Sequence, residues 1–142
     1  MTKILVVEDS FSMRSFVRGA LEMGASELGS LDIVEASGGF EALRLLPRGP
    51  YDLVITDINM PDINGLELIQ FIRSNEHHRT TPILLISTQA SDRDRERGLA
   101  LGANGYVAKP FTSEDLLRSV KTELRKGRRP AGEKDPDQGE NG

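Results

Sequence analysis

Leu53-Val54-Ile55-Thr56-Asp57-Ile58-Asn59-Met60-Pro61 begins with three apolar residues in a row and then runs into an acid and an amide. A continuous apolar run, as opposed to an alternating one, belongs to a strand covered on both faces, as in a parallel sheet. Ile4-Leu5-Val6-Val7 and Ile83-Leu84-Leu85-Ile86 have the same character. With two weaker runs they give five predicted strands, over 3–7, 31–35, 52–56, 82–87 and 104–108, with the three apolar ones in the middle. Helical spacing fills the intervals: Met13, Phe16, Val17, Ala20 and Leu21, then Phe40, Leu43 and Leu46, then Leu66, Ile69 and Ile72. The segment 91–101 is the most polar of the set. A fifth helix carries Leu116, Leu117, Val120 and Leu124 behind Thr112 or Ser113, either of which can cap it. Strands alternating with helices of this length imply right-handed crossovers. The fold class is therefore α/β, a doubly wound five-stranded parallel sheet with five helices, whose ligands sit at the carboxyl ends of the strands.

The chain has 142 residues, a formal charge of −4 and no cysteine. Its length fits one domain with a core of its own. Absence of cysteine excludes disulfides, thiolate nucleophiles and Cys-ligated metal centres. The net negative charge argues against a nucleic-acid surface spread over the domain. The apolar run at the amino terminus is broken by Glu8 and Asp9 after four residues, too short for a signal peptide or a membrane span, so a cytoplasmic protein without membrane or nucleic-acid partners is expected. After 1–126, the stretch 127–142 holds no apolar residue larger than one alanine and reads as a disordered tail.

At the carboxyl ends of the predicted strands stand Glu8 and Asp9, Asp57, Ser87 and Thr88, and Lys109. Three carboxylates converging on one crevice repel one another unless pKa values rise or a cation enters. A hard divalent ion is the better remedy. Mg²⁺ fits, because it takes a few carboxylates, keeps waters and leaves a position for a phosphoryl oxygen. Lys109 adds a second positive charge. Such a site neutralises a transferring phosphoryl group from two sides, and Asp57 is its natural nucleophile.

These residues resemble the receiver domains of two-component response regulators, and in particular the stand-alone CheY type. The matching stretches are Ile4-Leu5-Val6-Val7-Glu8-Asp9-Ser10, Val54-Ile55-Thr56-Asp57-Ile58-Asn59-Met60-Pro61, Gly65, Pro82-Ile83-Leu84-Leu85-Ile86-Ser87 and Gly105-Tyr106-Val107-Ala108-Lys109-Pro110-Phe111. Their order and strand-end placement carry the likeness, which runs from residue 2 to about residue 126 of the sequence. The resemblance implies the flavodoxin-like strand order 2-1-3-4-5. It implies that Asp57 is the phosphoacceptor, with a histidine kinase as donor. Glu8, Asp9, Asp57 and the backbone carbonyl of Asn59 would then hold Mg²⁺, and Lys109 would contact the phosphoryl group. Ser87 matches the switch hydroxyl and Tyr106 the switch aromatic. The effector would bind a face formed by the fourth helix, fifth strand and fifth helix, and the Lys109-Pro110 bond would be cis. A hydrogen bond from a hydroxyl to a charged group is worth ~1.5–3 kcal/mol, enough to move a two-state population roughly ten- to a hundredfold.

The sequence also departs from that pattern. Position 8 is Glu where CheY-type proteins usually carry Asp. Thr88 is bulkier than the small residue common after the switch hydroxyl, so its methyl group is expected to narrow access to the phosphoryl group. The stretch 24–30 makes the first helix-to-strand connection long. Other readings stay open for single residues: Ser87 and Thr88 can satisfy backbone groups at a strand end, and Tyr106 can be an ordinary sheet residue. His77 and His78, adjacent in a polar connection, read as solvated. The run Asp92-Arg93-Asp94-Arg95-Glu96-Arg97 reads as a solvated helix face, with partner binding as its alternative.

Within the receiver reading, a chemotaxis-like switch acting on an effector competes with a relay intermediate that hands phosphate to a His-containing phosphotransfer protein. A phosphorylation-independent interaction domain is a third reading, against which stand the acids, nucleophile and lysine, all present. A phosphatase of the haloacid dehalogenase type would need a second Asp where Asn59 stands, and the first strand-to-helix turn is Glu-Asp-Ser-Phe-Ser, with no Gly-rich nucleotide cradle. No metabolic enzyme activity is expected beyond the domain's own phosphorylation and dephosphorylation.

Overall fold

The computed structural model describes residues 1–87 and 92–127. Five parallel strands, β1 (Thr2–Val7), β2 (Leu31–Ala36), β3 (Leu53–Asp57), β4 (Ile83–Ser87) and β5 (Gly105–Ala108), form one sheet in the order β2-β1-β3-β4-β5. Both the fold class and the strand order expected from the sequence are observed. The helices are α1 (Phe11–Met23), α2 (Ala25–Leu28), α3 (Gly39–Leu45), α4 (Gly65–Ser74), α5 (Asp92–Leu101) and α6 (Ser113–Gly127). Among the described residues that makes six helices against the five expected. The addition is α2, a single turn inside the long connection at 24–30, and it forms because Leu28 has a place in the core. Lys121 of α6 pairs with Glu27 of this turn.

Alternate side chains of each central strand go to opposite layers, which explains why those strands read as continuously apolar. Ile4, Val6, Leu53, Ile55, Leu84 and Ile86 pack with α1 and α6 on one face. On the other, Leu5, Val7, Val54, Ile83 and Leu85 pack with residues of α3 and α4. The helix faces follow the expected spacing at Val17, Ala20 and Leu21, at Leu66, Ile69 and Ile72, and at Leu116, Val120 and Leu124, all buried. Phe40 is an exception. It stands in the first turn of α3 at 63% exposure, and Ala42 takes the buried place on that helix.

Local chemistry sets the helix starts. Asn64 caps α4 in a box with Glu67, and Thr112 caps α6, accepting from the Asp115 backbone N–H at 3.0 Å. The Asn64-Gly65 pair is thus a helix start. The N-terminal end of α3 is capped from a distance: the Asp62 carboxylate accepts from the Gly39 and Phe40 backbone N–H groups at 3.1 and 2.9 Å. Those bonds hold the Asp62 carboxyl below the usual carboxylate range. Helix α5 is charged over its first six residues, with Gly98 buried and Leu101 packed partly against the core. Its carboxyl end is held by Arg73 of α4, whose guanidinium donates to the Gly102 carbonyl at 2.7 Å, the His78 carbonyl at 3.2 Å and Asn104 Oδ1 at 2.9 Å.

No helix among the described residues is long and apolar enough to cross a membrane. Except for Gly127, the last residue of α6, the expected tail at 127–142 lies outside the described residues, as does Thr88.

Candidate functional site

The register of the sheet brings the chemistry to one edge. Val7 pairs with Ala36 and Thr56, Asp57 with Ile86, and Ser87 with Ala108, so the central strands end nearly level. Glu8, Asp57, Ser87 and Lys109 therefore stand side by side at their carboxyl ends.

Glu8, Asp9 and Asp57 each offer an oxygen, and the three oxygens lie within 4.8 Å of one another. Glu8 and Asp57 are buried, and Asp9 is exposed. Lys109 Nζ reaches both buried acids, at 2.7 Å from Glu8 Oε1 and 3.2 Å from Asp57 Oδ2. The other oxygens meet backbone donors. Glu8 Oε2 accepts from the Ser10 N–H at 3.0 Å, and Asp57 Oδ1 from the Ile58 N–H at 2.7 Å and the Asn59 N–H at 3.3 Å. Ser10 in turn caps α1 through the Met13 N–H, so the acid pair and the helix start are one local structure.

Electrostatics follow from that packing. Burial would lower the pKa of Lys109, but its hydrogen bond to Glu8 and the charges of Asp57 and Glu8 outweigh burial and hold the ammonium above the ordinary lysine value. The Asp9 carboxyl is pushed up, first by desolvation and then by the neighbouring Glu8. One ammonium thus faces three acids, an oxygen-rich set with a surplus of negative charge, and that is the donor chemistry a hard divalent cation takes.

The backbone under Asp57 is fixed by α4. Gly65 donates its N–H to the Ile58 carbonyl at 2.7 Å. A Cβ at position 65 would lie 2.2 Å from the Asp57 carbonyl oxygen, so only glycine allows the helix to begin this close.

The remaining expected residues fall around this centre. Ser87 is fully buried at the end of β4, and its carbonyl accepts from the Lys109 N–H at 2.6 Å. Lys109-Pro110 is cis. Tyr106, half-buried on β5, packs against the core layer shared with Leu85. The structure brings Glu8, Asp9, Asp57 and Lys109 together directly, joins Asn59 through its N–H, and sets Tyr106 one strand further out. Arg14 went unnoticed in the sequence. It donates to the Glu8 carbonyl at 2.8 Å and to Glu35 at 3.1 Å, tying α1 to the ends of β1 and β2. A lone Arg early in a helix gives no sequence signal for such a tie. His78 corrects another reading: far from being solvated, it is 4% exposed, because the loop before β4 folds its ring against Tyr51.

Comparison with known proteins gives the family. The family model described as response regulator receiver domain matches residues 4–121, and the chain belongs to that family. It is similar to the chemotaxis protein CheY-3 of Vibrio cholerae, 38% identical over 118 residues covering 83% of this chain and 88% of the relative. The chemotaxis protein CheY homolog of Campylobacter jejuni is 36% identical over 126 residues, covering 88% and 94%. Among solved structures, chemotaxis response regulator CheY4 of V. cholerae superposes with a TM-score of 0.78 at 33% identity, covering 87% of this chain and 98% of that one. The signal receiver domain of a histidine kinase from Syntrophus aciditrophicus gives 0.79 at 29% identity, covering 96% and 99%. This is a receiver domain of the CheY-like kind.

Proposed function

We propose that the chain is a phosphorylation-controlled switch that takes a phosphoryl group from a histidine kinase onto Asp57. The observation that carries this reading is the buried contact of Lys109 with both Glu8 and Asp57 at the mouth of the strand edge. With Asp57 Oδ1 held by the Ile58 N–H, Oδ2 is the oxygen that attacks phosphorus. The P–N bond of the donor phosphohistidine breaks, the imidazole leaves with the electron pair, and an aspartyl phosphate forms. Lys109, already beside Oδ2, then neutralises charge on the phosphoryl oxygens. Glu8, Asp9, Asp57 and the Asn59 carbonyl would hold Mg²⁺, which supplies the second positive charge for that transfer. The Ser87 hydroxyl moves to the phosphoryl group and Tyr106 follows inward. The changed face is α5, β5 and α6, and an effector protein reads it.

The naming of several relatives as chemotaxis proteins supports a chemotaxis-like pathway in the cytoplasm. The likeness to a receiver that is part of a histidine kinase supports a second reading, a relay intermediate that passes phosphate to a His phosphotransfer protein. In neither is the chain a metabolic enzyme. The test is intact-protein mass after incubation with acetyl phosphate and Mg²⁺. A gain of one phosphoryl group is expected, lost in Asp57→Asn and without magnesium. No gain in the wild type under any condition would refute the reading and leave a phosphorylation-independent interaction domain.

A further inference from the structure

Helix α3 begins without a cap of its own. Gly38 precedes it in extended backbone, and a glycine has no side chain to take up the first N–H groups. Asp62 takes them instead, from the irregular segment 58–64 that joins the Asp57 strand to α4. Its Oδ1 accepts from the Gly39 N–H at 3.1 Å and from the Ile63 N–H at 2.7 Å, and its Oδ2 from the Phe40 N–H at 2.9 Å. Both glycines make room for this approach. A Cβ at position 38 would lie 2.8 Å from Asp62 Oδ2, and one at position 39 would lie 2.7 Å from Ile63 Cβ.

The segment is thus fastened at two places. At one end the Ile58 carbonyl accepts from Gly65, and at the other Asp62 and Ile63 seat on the start of α3. Asn59 lies between these anchors, exposed, with Met60 and Pro61 separating it from Asp62. Pro61 fixes its own φ and keeps Met60 in extended backbone, and the Met60 side chain is buried, so few torsions remain to absorb a shift. A displacement of Asp62 therefore reaches the backbone of Asn59.

We propose that Asp62 is a positioning residue for the metal: by tying segment 58–64 to the start of α3, it holds the Asn59 carbonyl where Mg²⁺ can use it. This rests on the reading of Asn59 as a ligand under the proposed function. Asp62 stands outside the group of Glu8, Asp9 and Asp57, so it acts on the geometry of the site and not as a further ligand.

The test is the Mg²⁺ dissociation constant of the full chain, measured by calorimetry for wild type, Asp62→Ala, Gly38→Ala and the double variant. Asp62→Ala should weaken binding about tenfold, the lower end of the range for losing a group that orients a ligand. Gly38→Ala keeps every charge and a backbone that alanine adopts, but its methyl pushes Oδ2 aside, so it should weaken binding as well. The double variant should be no weaker than Asp62→Ala, because both changes break one contact. Both single variants should shift the Asn59 amide resonance of the metal-free chain. Leu28→Ala, a core change at the amino ends of the strands, should leave that resonance and the Mg²⁺ constant near wild type. Wild-type affinity in either single variant, additive losses in the double, or an equal loss in Leu28→Ala would each overturn the proposal. A wild type that binds no Mg²⁺ would overturn the metal reading itself and this proposal with it, a result visible before any variant is compared.

Discussion

Replacing Lys109 with Met removes the cation shared by two buried acids and keeps the length of the side chain. At an effective dielectric constant of about 20, unit charges 2.7 and 3.2 Å apart attract by about 6 and about 5 kcal/mol before desolvation is counted. Desolvation of the three ions offsets much of that, and breaking a buried pair from one side typically costs ~3–5 kcal/mol. Two acids lose their partner at once, so Lys109→Met should lose about 4 kcal/mol in chelator near neutral pH, which for a domain this size lowers Tm by about 15 °C. Because the lysine pKa is raised in the fold, its contribution is complete below the ordinary value of 10.5 and fades only as pH climbs through the raised one. The assay is urea unfolding of wild type and variant with matched slopes. Adding Glu8→Gln to Lys109→Met should restore part of the loss, since one stranded charge is gone. A loss under about 1 kcal/mol, the value of an exposed pair, would refute the reasoning and mean that water already screens the site.

Gly65→Ala should cost about 3 kcal/mol in the same unfolding assay, since the new methyl meets the Asp57 carbonyl oxygen at 2.2 Å and the start of α4 must shift; a loss below about 0.5 kcal/mol would mean the two elements are loosely joined. Glu123 is buried on α6 beside Gly105, and desolvation raises its pKa above the ordinary 4.5 despite Lys126 at 4.0 Å. A raised acid favours the protonated folded form, so stability is highest below the ordinary value and falls as pH rises through the folded one. Glu123→Gln should therefore melt higher than wild type at mildly alkaline pH, with the advantage shrinking in acid; equal melting at both pH values would count against the assigned burial.

The central strands were legible because burial on both faces leaves no polar positions in Ile4 to Val7, Leu53 to Ile55 or Ile83 to Ile86. The acid cluster was legible for a related reason, since polar groups closing such strands must share one edge. Contacts between distant segments were not. Asp62 looks like any loop acid until the fold brings it to the start of α3. His78 looks solvated until the loop before β4 turns its ring inward, and Phe40 looks like a core residue until the cap sets the first turn of its helix facing water. In α2, four residues gain a turn because Leu28 reaches the core, a packing event that no local pattern announces.

The unequal attachment of the helices has a consequence for retargeting. Helix α4 is locked to the backbone of Asp57 through Gly65, so its sequence is constrained by the chemistry it supports. Helix α5 touches the core through Gly98 and Leu101 near its carboxyl end, and most exposed positions tolerate substitution within about 0.5 kcal/mol. Its charged residues can thus be rewritten toward a new partner while the acid cluster stays intact. The domain separates into a half that preserves the reaction and a half whose surface can drift, and a designer wishing to redirect the signal would begin on α5.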